Sequence, residues 1–491
     1  MTGRRRITIA GAGPGGICTA VKLKQAGIED FVLLEKSHRP GGTWAKNRYP
    51  GLSCDVPSLV YSFSFEPKVD WSRPFATQPE ILEYMAHIVE KYDLAPHIRY
   101  GTEVREARWD DAESAWRIAT GDGWATSSDV FVTALGMFNK LRWPDIRGLD
   151  DFAGATVHSG AWPESGLDLR GKAVAVIGSA AAAVQMIPEI AAEAARLDVY
   201  QRTANWVFPK DDTPFTPEEI AARVADPSIA DRMRDEALDF FERLLTYADR
   251  DLIADLEAKG RENLAQVHDP ELRERLRPKL PFGAQRPLNS DVYYPTFNED
   301  HVTLITDPIE AITPRGVRTV DGVERPVDVL VLATGYEANR FLSVIDVRGR
   351  DGLDLGELWA EGPYAYRGIT VAGFPNLFML YGPNTNTGSI LTMLEYEADY
   401  VVRKLERMER EGVDRLEVRP EAMAAYNAWL QEGIAQIDAW HEIGSRYYRH
   451  ESGRIVTQFP GNMAAFSAML ATPDDDDFVG GVAEGTPAAV G

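Results

Sequence analysis

The chain has little cysteine, little histidine and too few positive charges to balance its acids, and each shortage removes a class of function. Among its 491 residues are two cysteines, Cys18 and Cys54, which do not form a Cys-x-x-Cys pair. A dithiol–disulfide reductase of the usual kind is excluded, and a reducing compartment is indicated. The eight histidines are scattered, without a His-x-x-x-His or His/Cys cluster, so no metal site is expected. Acidic residues outnumber basic ones 75 to 52, for a formal net charge of −23. That surface repels phosphate backbones and anionic lipid, which argues against nucleic-acid and membrane-surface partners. No apolar run reaches the roughly 18 residues of a membrane span. The basic start, Met1 to Arg6, leads straight towards a glycine turn, so the expectation is a leaderless cytoplasmic protein.

What is present begins with two copies of one plan, in a chain long enough for two to three domains. Ile7 to Ala10 reads as a buried strand closed by Gly11-Ala12-Gly13-Pro14-Gly15-Gly16, then a helix, then the strand Phe31 to Leu34 and Glu35. In such a turn the first glycine permits the bend and the second lets the backbone approach a pyrophosphate. The third lets helix and strand pack closely, and the helix N-terminus offers amides to phosphate. Glu35, 24 residues after Gly11, suits a ribose, and Lys36 beside it belongs to the same site. Ala173 to Ile177 repeats the plan with Gly178-Ser179-Ala180-Ala181-Ala182-Ala183, a helix carrying Gln185, and the strand Leu197 to Tyr200. Here the residue 24 positions on is Arg202, followed by Thr203. An arginine suits a 2′-phosphate, where an acid would repel, and so selects NADP over NAD. The bland alternative for Arg202 is a solvated surface charge. Alanine is accepted at the third glycine position but crowds the second, at Ala180.

These units predict an α/β protein with two Rossmann-like dinucleotide-binding domains and a helical insertion. The first domain is expected to be discontinuous, residues 1–150 and 328–471, with a linker over 151–170 and the second domain over 171–327. The runs Val130 to Thr133 and Val329 to Leu332 look like crossings between them. Residues 213–279 are helical and charged, and Thr216-Pro217-Glu218-Glu219 is a capping box. Met233, Ala237, Phe240 or Phe241 and Leu244 share one helix face. That insertion either only stabilises or shapes a substrate entrance. The acidic tail, 472–491, has too little apolar content to pack and is expected to be disordered.

Between the two units lies Phe152-x-Gly154-x-x-x-His158-x-x-x-Trp162-Pro163. This linker resembles the fingerprint of the Baeyer–Villiger branch of the class B flavin-dependent monooxygenases. The Trp-Pro ending separates that branch from related N- and S-oxygenating enzymes. Similar motifs run from Gly11 to Gly461, including Gly382-Pro383-Asn384-Thr385-Asn386. The resemblance implies FAD in the first unit, with Gly42, Thr43, Trp44, Asp55, Tyr61 and Val104 around it. Trp44 and Tyr61 serve equally well as core aromatics. It implies NADPH in the second unit. It also implies oxidation of a ketone to an ester or lactone by dioxygen through a peroxyflavin.

The same resemblance selects Arg286, in Pro281-Phe282-Gly283-Ala284-Gln285-Arg286, as the stabiliser of negative charge in that reaction. It gives Asp55 as the carboxylate partner. An arginine suits the task because it stays protonated at any working pH. The chain departs from the family pattern at Gln285, where NADPH-preferring members usually carry lysine, and at Tyr447, where tryptophan is commoner. Trp440 and Gly444-Ser445-Arg446-Tyr447-Tyr448 resemble the segment that closes over the cofactor. His158 reads either as a packed linker histidine or as a coupling between domain motion and catalysis. Two other functions stay open on the residues alone: a heteroatom oxygenase acting on a sulfide or amine, and a flavoprotein that binds nucleotides without turnover.

Overall fold

Ile7-Thr8-Ile9-Ala10 is buried at all four positions, as a strand covered on both faces must be. In the structure, a computed structural model that describes residues 5–442 and 447–483, this strand (β1, Ile7–Ala10) sits mid-sheet. It pairs in parallel with β2 (Phe31–Leu34) on one side and β4 (Val130–Thr133) on the other. Strands β3 (Ile98–Arg99) and β10 (Leu377–Met379) complete an all-parallel sheet of five. Helix α1 (Pro14–Gln25) follows β1, with proline in its first turn, where the missing N–H costs nothing. Its Gly15 lies against Leu394 of the long helix α8 (Ile390–Glu411), which closes that face.

A second all-parallel sheet of five has the order β8 (Val302–Ile305), β7 (Arg196–Tyr200), β6 (Ala173–Ile177), β9 (Val329–Leu332), β5 (Ala155–His158). Helix α3 (Ala181–Ala191) follows β6 as α1 follows β1. Two features differ from the sequence expectation. β5 lies inside the segment read as linker, and β9 lies beyond residue 327, yet both are strands of the second sheet. The apolar run Val329 to Leu332 is the last strand of the module it leaves, so the expected boundary falls one strand early.

The two chain crossings meet. Leu141 bridges Tyr336 in antiparallel fashion, Arg142 N–H donates to Gly335 C=O at 2.9 Å, and Glu337 N–H donates to Lys140 C=O at 2.9 Å.

Residues 213–279 form helices α4 (Pro217–Ala225), α5 (Ser228–Leu244), α6 (Arg250–Leu264) and α7 (Pro270–Arg275). Thr216 and Glu219 make the reciprocal capping bonds expected of them. The tail is the clearest correction. Phe478–Gly481 is a strand paired with Arg415–Val418, and Phe478 is buried. Asp474 is buried too, bonded by Lys404 and by Tyr400 Oη at 2.5 Å. Low apolar content suggested disorder, but Phe478 packs and the Asp474 carboxylate meets a buried cation. The rest of the expected tail, 484–491, lies outside the described residues. No helix among the described residues is long and apolar enough to cross a membrane.

Candidate active site

Parallel strands deliver their loops to the carboxyl edge of the sheet, which is where ligands of such folds bind. Here the carboxyl edges of both sheets open into one cleft of about 2160 Å³. Its wall includes Gly11, Gly13, Pro14 and Gly15 from the first turn, and Gly178, Ser179, Ala180, Ala181 and Ala182 from the second. Gly16 and Ala183 are buried behind their turns and serve helix–strand packing, not the cleft wall.

At the first turn, Gly13 and Gly42 come so close that a Cβ on Gly13 would lie 3.3 Å from Gly42 Cα. A Cβ on Gly42 would lie only 2.8 Å from Gly13 Cα, so a side chain is excluded there, where α1 faces the short helix α2 (Thr43–Lys46). Glu35 is buried, and both its oxygens are held: one by Ala12 N–H and one by Ser37 N–H, each at 2.8 Å. Trp44 Nε1 donates to Tyr61 Oη at 2.9 Å, and both rings are buried while reaching the cleft. They are core aromatics and cleft wall at once. Lys36 is exposed, and its Nζ donates to Asn139 Oδ1 at 3.4 Å. Thr43 and Val104 line the same end.

At the second turn, neither helix start has a side-chain cap nor an acid in its first turn, a combination that leaves amides free for an anion. Ala180 is exposed on the cleft wall, where a bound pyrophosphate would approach it. Ser179 Oγ donates to Thr203 C=O at 3.0 Å, which fixes the turn against the end of β7. Arg202 is exposed on the cleft wall, with no carboxylate within 4.0 Å among the described residues. Gln285 and Tyr447 also line the cleft. Residues 443–446 of the closing segment lie outside the described residues.

Between the turns sits an ion pair joining elements 231 residues apart: Arg286 Nη2 to Asp55 Oδ2, 3.3 Å. The guanidinium is partly open to the cleft; desolvation opposes its charge, but Asp55 together with Tyr447, Tyr448 and Cys54 outweighs it and raises its pKa. Asp55 is further held by Gln185, whose Nε2 donates to Asp55 Oδ1 at 3.2 Å and to Ser53 C=O at 3.0 Å. Tyr49 Oη donates to Gln185 Oε1 at 3.1 Å, and Lys210 Nζ to Ser53 Oγ at 2.6 Å. Sequence reading assigned Gln185 to the nucleotide, and Gln185 does line the cleft, but the contact with Asp55 was missed. Gln185 also bolts the second module to the Asp55 loop. Burial pushes the neighbouring Cys54 thiol up to about 12, so it carries no thiolate at neutral pH.

The linker residues Phe152, Gly154, His158, Trp162 and Pro163 lie outside the cleft wall. His158 is fully buried; Gly160 N–H donates to its Nδ1 at 3.0 Å, and its Nε2 faces Arg142 C=O at 3.3 Å. Burial lowers its pKa, so the ring is neutral. It ends β5 opposite Leu332 of β9 and is a packed joint between the crossings. Just beyond the Trp-Pro pair, Glu164 is bonded by Arg39 at 2.9 Å and Arg48 at 2.7 Å, both from the first module.

Residues 8–229 match the pyridine nucleotide-disulphide oxidoreductase family, the span holding both turns. A Baeyer–Villiger monooxygenase of Pseudomonas aeruginosa is 38% identical, over 94% of this chain and 89% of that one. The structure of cyclohexanone monooxygenase from Rhodococcus sp. Phi1 bound to NADP+ superposes with a TM-score of 0.88 at 31% identity. It covers 97% of this chain and 99% of that one. The OTEMO complex with FAD and NADP gives a TM-score of 0.85 at 29% identity, over 98% of this chain and 100% of that one.

Proposed function

This chain belongs to the Baeyer–Villiger monooxygenases, and from that premise we propose that its cleft is built to oxidise ketones to esters or lactones. FAD is held at the first turn and NADPH at the second. The residues suit both groups. The Gly13–Gly42 approach clears a groove for a pyrophosphate, and the uncapped N-termini of α1 and α3 supply amides to phosphate. Glu35, immobilised by two backbone amides, turns a fixed carboxylate towards the ribose hydroxyls. Trp44 and Tyr61 close the flavin end, and Arg202 meets the 2′-phosphate. Bound FAD supplies the capacity to take two electrons from NADPH and to react with dioxygen.

The observation that carries this reading is the Arg286–Asp55 pair on the wall shared by both turns. As a ketone is attacked, negative charge moves onto its oxygen, and a permanent cation aimed there lowers the barrier. Asp55 keeps the guanidinium oriented. We assign the enzyme to a reducing compartment such as the cytoplasm, consistent with Cys18 and Cys54 both being free and buried.

The test is product analysis by mass spectrometry with cyclic, linear and aromatic ketones and with sulfides. Arg286→Ala should abolish ester formation while the purified protein stays yellow with FAD. Ester formation unchanged by that substitution overturns the assignment. Sulfoxide without any ester from the native enzyme shifts the reading to heteroatom oxygenation.

A further inference from the structure

Helix α5 carries an apolar stripe that the core absorbs only in part: Phe241 and Leu245 pack against the core of the first module yet stay partly exposed. Ala237, Phe240, Phe241, Leu244 and Leu245 recur at the spacing of one helical face, and all five line the cleft. Ala230 is the one buried residue of this helix, and Phe240 keeps 38% of its surface accessible. An amphipathic helix ordinarily turns such a stripe into a core. Here the stripe touches the core along one edge and turns the rest of its surface to the cleft.

Its orientation is fixed from outside. Asn462 Nδ2 donates to Glu242 C=O at 3.2 Å, and Ala464 N–H donates to the Glu242 carboxylate at 3.2 Å. These bonds dock α5 onto the start of α9 (Met463–Ala471), an element of the other end of the chain. Just past the helix, the ring of Tyr247 meets that of Trp440 at 5.5 Å and that of Phe282 at 6.4 Å. Phe282 belongs to the loop that carries Arg286. The stripe is therefore continuous with the reactive arginine along a single wall.

We propose that α5 is the specificity wall of the enzyme. It selects ketones bearing a bulky apolar group, aryl or long alkyl, which lies along Phe240 and Phe241 while the carbonyl meets Arg286. This assignment rests on the oxygenating role proposed for Arg286. Small ketones reach the arginine without touching the stripe, and sugar-like or charged ketones find no polar partner on it.

The experiment uses FAD-loaded enzyme with 4-phenyl-2-butanone and cyclobutanone, alone and with Phe240→Ser and Phe241→Ser. Binding to the oxidised enzyme is read from the perturbed flavin absorption, and turnover from ester formation. The native enzyme should favour the aryl ketone by about tenfold or more in Kd and in kcat/KM. Each serine variant should weaken the aryl ketone by about tenfold, through KM, and change cyclobutanone by less than about threefold. Phe241→Leu should restore most of the preference, which separates the wall from simple loss of folding. Equal effects on both ketones, or no effect on either, overturn the proposal. Ketone binding with the expected preference but no ester overturns the oxygenating assignment and leaves the wall standing.

Discussion

The carboxamide of Gln185 and the carboxylate of Asp55 lie 3.2 Å apart, one on a helix of the second module and the other on a loop of the first. Asp55 thus has one oxygen on Gln185 and the other on Arg286. The position of the reactive cation depends on how the modules sit together. Gln185→Ala should lower kcat by about tenfold, because one oxygen of Asp55 loses its restraint. FAD content should not change. Hydrogen peroxide released per NADPH consumed is the diagnostic measurement, and it should rise; coupling as tight as in the native enzyme would refute the link.

Arg202 faces the cleft without a carboxylate within 4.0 Å among the described residues. Arg202→Ala should raise KM for NADPH by roughly 10- to 100-fold, the loss of one charge-assisted pair with phosphate. KM for NADH should move less than about threefold. Steady-state kinetics with both nucleotides decide the matter, and equal losses would return Arg202 to the status of a surface charge.

Gly283 has a φ of +89°, and a methyl group there would overlap the Tyr247 ring. Gly283→Ala is strained twice, by its backbone and by the ring, at a cost of about 2–4 kcal/mol if the loop keeps its shape. Relief requires the Arg286 loop to shift. Ester formation should therefore fall by about tenfold or more, with the cofactor retained. Activity and thermal unfolding measured together distinguish this from general instability.

Glu397 is fully buried in α8, and its carboxylate accepts Tyr381 N–H at 2.7 Å. Burial pushes its pKa up to about 8. The folded state keeps this proton where the unfolded chain has released it, so the contribution to stability is complete at low pH. It is lost as pH rises from the carboxylate range through about 8. Glu397→Gln mimics the neutral acid. Its Tm relative to the native protein should improve by a few degrees or more between about pH 5 and pH 8. A difference in Tm independent of pH would contradict this.

Asp474 and Lys404 have side chains 6% and 4% accessible, so neither charge has water to fall back on. Removing one partner strands the other. Asp474→Ala should cost about 3–5 kcal/mol, measured by urea unfolding. A loss below about 1 kcal/mol would mean that the tail is held by Phe478 alone.

These residues mark how far the sequence could be read. The two strand–turn–helix units and the capping box at Thr216 were legible because their signals are local: period, glycine spacing and a four-residue cap. The place of Arg202 on the cleft wall was legible from its phase against Glu35. The pairings that were missed are all distant. Nothing near Asp474 announces Lys404, 70 residues earlier. Nothing near Gln185 announces Asp55, 130 residues earlier. The boundary at 328 failed for a related reason. A buried parallel strand has the same apolar look in either sheet, and its hydrogen-bonded neighbour alone says where it belongs.

The pairing of Lys140–Arg142 with Gly335–Glu337 has a mechanical consequence. The outgoing and returning segments do not flank the second module as two independent pivots; one bridge and two backbone bonds tie them into one torsion bar. Swinging the module must wind both segments as a unit about a common axis. Asp55 and Gln185, which bridge the modules, therefore meet or part along one arc.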